Sequence, residues 1–265
     1  MDIQNPHDHF FKEVFSLKEN VIAFVKKFLP DDIVQHLLID SILLDSNSYI
    51  DEKLKEYFSD VVYDCQYKGN TNTTIKLSLL FEHKSYVPDN VHLQLLRYML
   101  NIWSQNIKQN KPIQVVLPII VYHGKEKWEV KPFKKYFDGA DEALFRFIPN
   151  FDYILNDLTE YNFEELKGKL EGDKKLKVAL LLLQQIFDEP LLKRLLSEIL
   201  DVDKNLIENN VESGYFESVV LYIFATTNIE PVLVIDALSK KSPQGEKLIM
   251  STYEKILEKG IEKGI

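Results

Sequence analysis

Asp60, Glu82 and Lys84 are the residues whose types and spacing best suit chemistry. Glu82 and Lys84 lie two apart, and in a strand that spacing sends both side chains to one face. If Asp60, opening the neighbouring strand, lies across from them, two carboxylates and an ammonium converge. Two hard oxygen donors suit Mg²⁺, which keeps several waters and takes further oxygens from a substrate phosphate. The ion lowers the pKa of a bound water and neutralises phosphate charge, while a lysine orients that water. A solvated strand face carries the same spacing. The strongly apolar strands around these three residues, and the helix that follows them, favour the catalytic reading.

That helix runs from Pro88-Asp89 to about Gln109 and carries a polar stripe. Gln94, Arg97, Asn101 and Gln105 follow one another at spacings of three, four and four, with Tyr98 one turn after Gln94. Amide, guanidinium and phenol groups hold phosphates and sugars without reading bases. A plain solvent face is the other reading of Arg97, Asn101 and Gln105.

The elements that must position these residues can be read from periodicity. Phe10, Phe11, Val14 and Phe15 make one apolar helical stripe, and a second helix spans Lys18 to Phe28 before Leu29-Pro30. Leu37 to Leu44 is β-like. Ser59 to Lys68 alternates, and Thr74 to Lys84 follows a turn at Gly69-Asn70-Thr71-Asn72, so the two form a hairpin. Val115 to Tyr122 is a continuous apolar run, as expected of a strand covered on both faces. The order helix, strands, helix, strand predicts a mixed central sheet flanked by helices. After about Phe163 the pattern is helical, with helices expected over 176–187, 191–200, 202–209, 217–226, 231–238 and 245–257. The chain ends in Glu258-Lys259-Gly260-Ile261 and Glu262-Lys263-Gly264-Ile265, a repeat that reads as a solvated extension or as the start of a self-association tail.

Composition bounds the function. The 265 residues are 45% apolar and 28% charged with a net charge of −9, which excludes disordered and fibrous classes. One cysteine, Cys65, allows no internal disulfide and sits among apolar neighbours as a core residue. The first residues carry no basic or apolar leader pattern, and no apolar run approaches a bilayer span, so a cytoplasmic protein without membrane partner is expected. The acidic balance argues against tight binding of nucleic acid by charge alone. Locally the sign reverses: Lys108, Lys111, Lys125, Lys127, Lys131, Lys134 and Lys135 face only Glu126 and Glu129. Lys127, Lys131 and Lys134, with Arg97, are the candidate phosphate contacts. The histidines lack zinc-ligand spacing, His83 falls on the strand face opposite Glu82, and neither a phosphate-binding glycine loop nor a serine nucleophile elbow is present.

Four segments occur in a telling order. Asn5-Pro6-His7-Asp8-His9-Phe10-Phe11-Lys12, Ser59-Asp60-Val61-Val62-Tyr63, Phe81-Glu82-His83-Lys84-Ser85 and Tyr122-His123-Gly124 resemble the Rpn family of recombination-promoting nucleases, transposase-like members of the PD-(D/E)XK nuclease superfamily. The resemblance covers roughly residues 5–165, continues loosely into the helical region, and extends to the Glu-Lys-Gly-Ile tail. It implies that Asp60 and Glu82 match the metal-binding acids and Lys84 the motif lysine. Gln94-x-x-x-Tyr98 is similar to a helix motif of RecB-like branches, which implies an assisting role for Gln94. Asp60 follows Ser59, a departure from the Pro-Asp of the superfamily name. Some members use a glutamate on the first helix; Glu13 matches that by position alone.

The expected architecture is therefore α/β: a PD-(D/E)XK, restriction-endonuclease-like domain over residues 1–165, an α-helical region over 166–257, and the repeat tail from 258. The expected activity is hydrolysis of DNA phosphodiester bonds by a Mg²⁺-dependent endonuclease, with Mn²⁺ or Ca²⁺ as substitutes, in recombination or mobile-element processing. The partner is DNA, with a homo-oligomer as a further expectation. The alternative is a catalytically inactive nucleic-acid or protein interaction module on the same fold.

Overall fold

The structure is a computed structural model and describes residues 5–45, 61–68, 74–201, 214–239, 249–251 and 253–254. Asp60, residues 202–209 and the repeat tail lie outside the described residues. By its contacts the chain divides into two units, one of residues 28–159 and one of residues 1–27 with 160–265.

Residues 28–159 are built on five strands: β1 (Leu37–Leu44), β2 (Val61–Lys68), β3 (Thr74–Lys84), β4 (Val115–Tyr122) and β5 (Ile154–Asp157). They lie in the order β1-β2-β3-β4-β5. β1 and β3 are both antiparallel to β2, whereas β3, β4 and β5 run parallel to one another. The hairpin register sets Val61 against Phe81 and Cys65 against Leu77. A shift in register between Leu38 and Leu43 bulges β1, and the Ser41 hydroxyl fills the gap in the ladder by accepting from the Gln66 amide at 2.8 Å. Parallel neighbours need a crossover, supplied between β3 and β4 by α4 (Val91–Lys108); a short helix, α3 (Asp31–Val34), precedes β1.

Alternation divides the sheet residues between two faces. Val62, Leu80, Val116, Ile120 and Tyr122 share one core with Val91, Leu95, Tyr98, Met99 and Ile102 of α4. Glu82 and Lys84 have the same strand parity as Leu80, so they belong to the face that α4 covers. His83 falls on the other. This mixed sheet with flanking helices agrees with the expected core.

The other unit is helical: α1 (Pro6–Phe15), α2 (Lys18–Phe28), α5 (Phe163–Lys169), α6 (Lys174–Gln185), α7 (Glu189–Ile199), α8 (Tyr215–Thr226) and α9 (Pro231–Ser239). The stripe expected on α1 is buried in full: Phe10, Phe11, Val14 and Phe15 are inaccessible to solvent or nearly so. α1 packs on α6 and α8, α6 on α5 and α7, and α7 on α9. Phe10 lies flat on Tyr222, with ring centroids 4.2 Å apart. The sequence assigns α1 and α2 to residues 1–165 as part of the nuclease-like domain; contacts instead group residues 1–27 with the C-terminal helices. The reason is this aromatic packing.

Candidate active site

β3 carries the centre of the site at its carboxyl end. Glu82 is only 1% exposed and Lys84 is buried beside it. Their spacing places both on one face, and the Lys84 ammonium donates to Glu82 Oε1 in a buried ion pair. Gln94, in the first turns of α4, donates to the same Oε1 at 3.0 Å and to the Tyr98 hydroxyl at 2.8 Å. Two elements separated by a loop thus converge on one carboxylate oxygen. Glu82 Oε2 is buried and has no hydrogen-bond partner among the described residues.

Leaving a carboxylate oxygen buried without a partner costs on the order of 1–3 kcal/mol or more. Such an oxygen is a hard donor of the kind a divalent cation takes up, and the residues present fit one. Glu82 would be one ligand. No group of three His, Cys, Asp or Glu side chains suited to a metal occurs among the described residues. Asp60, the expected second acid, lies outside them.

Around the centre, the sheet ends in a fixed corner. Tyr122 is opposite Lys84 in the β3–β4 register, and the His123 amide donates to the Lys84 carbonyl at 3.1 Å, extending the ladder. The Tyr122 hydroxyl donates to the Glu126 carbonyl at 2.5 Å. A Cβ at residue 124 would lie 2.3 Å from that hydroxyl, so only glycine lets the ring pass. Burial and the nearby Asp157 carboxylate both push the Tyr122 phenol up, keeping it a donor. On the opposite face, His83 and His123 meet Nε2 to Nε2 at 2.6 Å, both buried. One ring must supply the proton and the other the lone pair, so the pair is a structural hydrogen bond. The strand parity of His83 points to such a role; its partner, distant in sequence, has no local signal.

The remaining expected contacts do not join the centre. Arg97, Lys127, Lys131 and Lys134 are exposed, and none hydrogen-bonds to Glu82. Asn101 and Gln105 are half-buried. Sequence reasoning misses His92. It starts α4 buried, stacked on Phe133 at 5.2 Å and edge-on to Tyr136, Phe151 and Tyr153, and its Nδ1 has no hydrogen-bond partner. Burial holds its pKa below the ordinary value, with Asp152 opposing.

The family model for "Putative transposase, YhgA-like" matches residues 5–212 of the chain. The chain belongs to that family. Among its relatives, recombination-promoting nuclease RpnD of Escherichia coli O157:H7 is 25% identical over 95% of this chain and 94% of its own length. Recombination-promoting nuclease RpnC of E. coli K12 is 27% identical over 45% of this chain and 39% of its own. The inactive recombination-promoting nuclease-like protein RpnE of the same strain is 21% identical over 98% and 84%. No solved structure matches the chain. Within the YhgA-like family the sequence resemblance to the Rpn nucleases is thus upheld. No described helix is long and apolar enough to cross a membrane.

Proposed function

We propose that the chain is a metal-dependent DNA endonuclease of the cytoplasm, acting in recombination or mobile-element processing. The observation that carries this reading is the Glu82 carboxylate, bonded through one oxygen to Lys84 and Gln94 while the other is left buried and open. A purely structural buried ion pair is usually completed by further hydrogen bonds; this one keeps a lone pair in reserve. Asp60 and Glu82 would hold Mg²⁺, which when bound supplies a Lewis acid for the phosphate and an acidified water. Lys84 then holds the attacking water or the phosphate oxygen. Gln94 fixes the Glu82 carboxylate in one orientation, and Tyr98 fixes Gln94. Arg97 and the exposed Lys127, Lys131 and Lys134 hold the DNA backbone. Relatives named as nucleases support the same reading.

A relative named as inactive keeps the idle interaction module as the rival. Supercoiled plasmid incubated with the full chain separates the two. Nicking that needs Mg²⁺, stops with EDTA and is lost in Asp60→Ala is expected; equal nicking by wild type and variant would remove the site. Replacing Lys127, Lys131 and Lys134 by Ala should weaken binding to unrelated DNA sequences alike and flatten its salt dependence.

A further inference from the structure

α4 covers the sheet with one face and turns a second apolar face to water. Val91, Leu95, Tyr98, Met99 and Ile102 pack in the core. On the far side Leu93, Leu100 and Ile107 are 48%, 51% and 59% exposed. An α-helix turns about 100° per residue, so these three stand within about 40° of one another and about 150° from the middle of the core face. Leu96 and Trp103, half-buried, lie between the two faces, and the Trp103 ring is fixed by donating to the Gln114 carbonyl at 2.8 Å.

Leu93, Leu96, Leu100, Trp103 and Ile107 follow at spacings of three, four, three and four, the repeat by which one helix seats another. A single exposed leucine is ordinary, but the outer face of a surface helix is normally polar. Here the apolar row runs most of the length of an 18-residue helix. The row is also self-complementary. Leu93 and Ile107 each stand seven residues from Leu100. A copy laid antiparallel about a two-fold axis at Leu100 sets that residue on its own counterpart and Leu93 on Ile107 of the other copy.

The charges at the ends of α4 choose that direction. Asp89, exposed, stands just before the helix; Lys108, in its last turn, and Lys111, just beyond it, are exposed at the other end. None of the three enters an ion pair among the described residues. Antiparallel pairing brings each acidic end beside a basic one, twice by symmetry, and opposes the two helix dipoles. Parallel pairing would set lysine against lysine. We propose that α4 is a dimer interface, its Leu93–Leu100–Ile107 row packed antiparallel on the same row of a second copy of this chain. The row is about 21 Å long at 1.5 Å per residue. One helix pair of that length is small for a specific interface, so association at about micromolar concentration is expected.

Sedimentation velocity of the full chain over a concentration series tests it. The mass should double on passing through about micromolar concentration. Leu100→Glu sets two carboxylates against each other at the two-fold axis and should raise the midpoint concentration about a hundredfold or more, with the circular dichroism of wild type. Cysteine pairing reads the direction without disrupting the seam, and the native Cys65 is buried. Leu93→Cys mixed with Ile107→Cys under mild oxidation should give disulfides between unlike chains and few between like ones. Should Leu100→Glu lose helix, that disulfide pattern decides alone. A monomer at every concentration, a dimer indifferent to a folded Leu100→Glu, or disulfides only between like chains overturns the inference.

Discussion

The two units treat buried polar groups in opposite ways. In the helical unit such groups are matched. Tyr215 donates to the Lys175 carbonyl at 2.5 Å, Tyr222 shares a 2.7 Å hydrogen bond with His7 Nδ1, and Asn20 donates to the Val14 carbonyl at 2.9 Å. Burial pushes both phenols up, so they stay protonated. In the sheet unit, Glu82 Oε2, His92 Nδ1, and the side-chain amide nitrogens of Asn106 and Asn156 are buried without hydrogen-bond partners; the described residues of the helical unit hold no such atom. Native interiors satisfy nearly all buried polar atoms, so a concentration of exceptions marks where a fold has been shaped for something other than stability. The helical unit is a core. The sheet unit is a core with unsatisfied polar atoms left inside it.

The largest test of that contrast is Glu82→Gln, which keeps shape and removes charge. DNA cleavage, measured on plasmid, should fall about a thousandfold or more, since the proposed cation ligand is lost. The single variant also strands the buried Lys84 ammonium. Glu82→Gln/Lys84→Met removes both charges and should unfold no earlier than wild type in a thermal melt while staying inactive. A double variant less stable than the single one would make the pair structural and erase the contrast.

On the other side, Phe10→Ala should destabilise by about 3–5 kcal/mol, because it empties the stack on Tyr222. Cleavage per folded molecule should be unchanged, as read from denaturant melts and rates on the same preparation. Gln94→Ala comes next. It should lower the rate about 10- to 100-fold with little change in melting temperature, because it frees the Glu82 carboxylate to rotate. A loss confined to stability would place Gln94 with the packing residues.

The smallest effect is the pH response of His92. Its folded pKa lies below the unfolded value near 6.5, so its neutral burial stabilises the protein above that pH. As pH falls below about 6.5 the unfolded chain takes up a proton that the folded one resists, and that stability is lost. The melting temperature should fall over this window, and fall less in His92→Phe. Identical profiles would show that other groups carry the acid response.

Glu82 and Lys84 could be paired from sequence because strand parity is local and absolute. Gln94 was legible as part of a helical stripe, but its bond to Glu82 depends on how α4 lies over the sheet, which no local pattern encodes. The same limit hides the His83–His123 bond, made across parallel strands 40 residues apart. β5, four residues reading Ile-Leu-Asn-Asp, has no alternation to mark it; it is a strand because β4 offers an open edge. The stripe on α1 announced that a face is buried without naming its partner. That partner proved to lie beyond residue 160, which is why the helix grouped away from the sheet.

The helical unit's interruption by residues 28–159 has a consequence for how the protein is made. On the ribosome, α1 and α2 emerge before the sheet, with Phe10, Phe11 and Phe15 bare, and their partners are translated after it. At ordinary synthesis rates that wait is on the order of ten seconds. During it the sheet can close around Glu82 while both flanks are unfinished. A chain stalled near residue 160 would therefore combine a folded sheet with an exposed aromatic helix, a species for chaperones and proteases to find. The two parts of the helical unit can thus meet only after the sheet between them has been made.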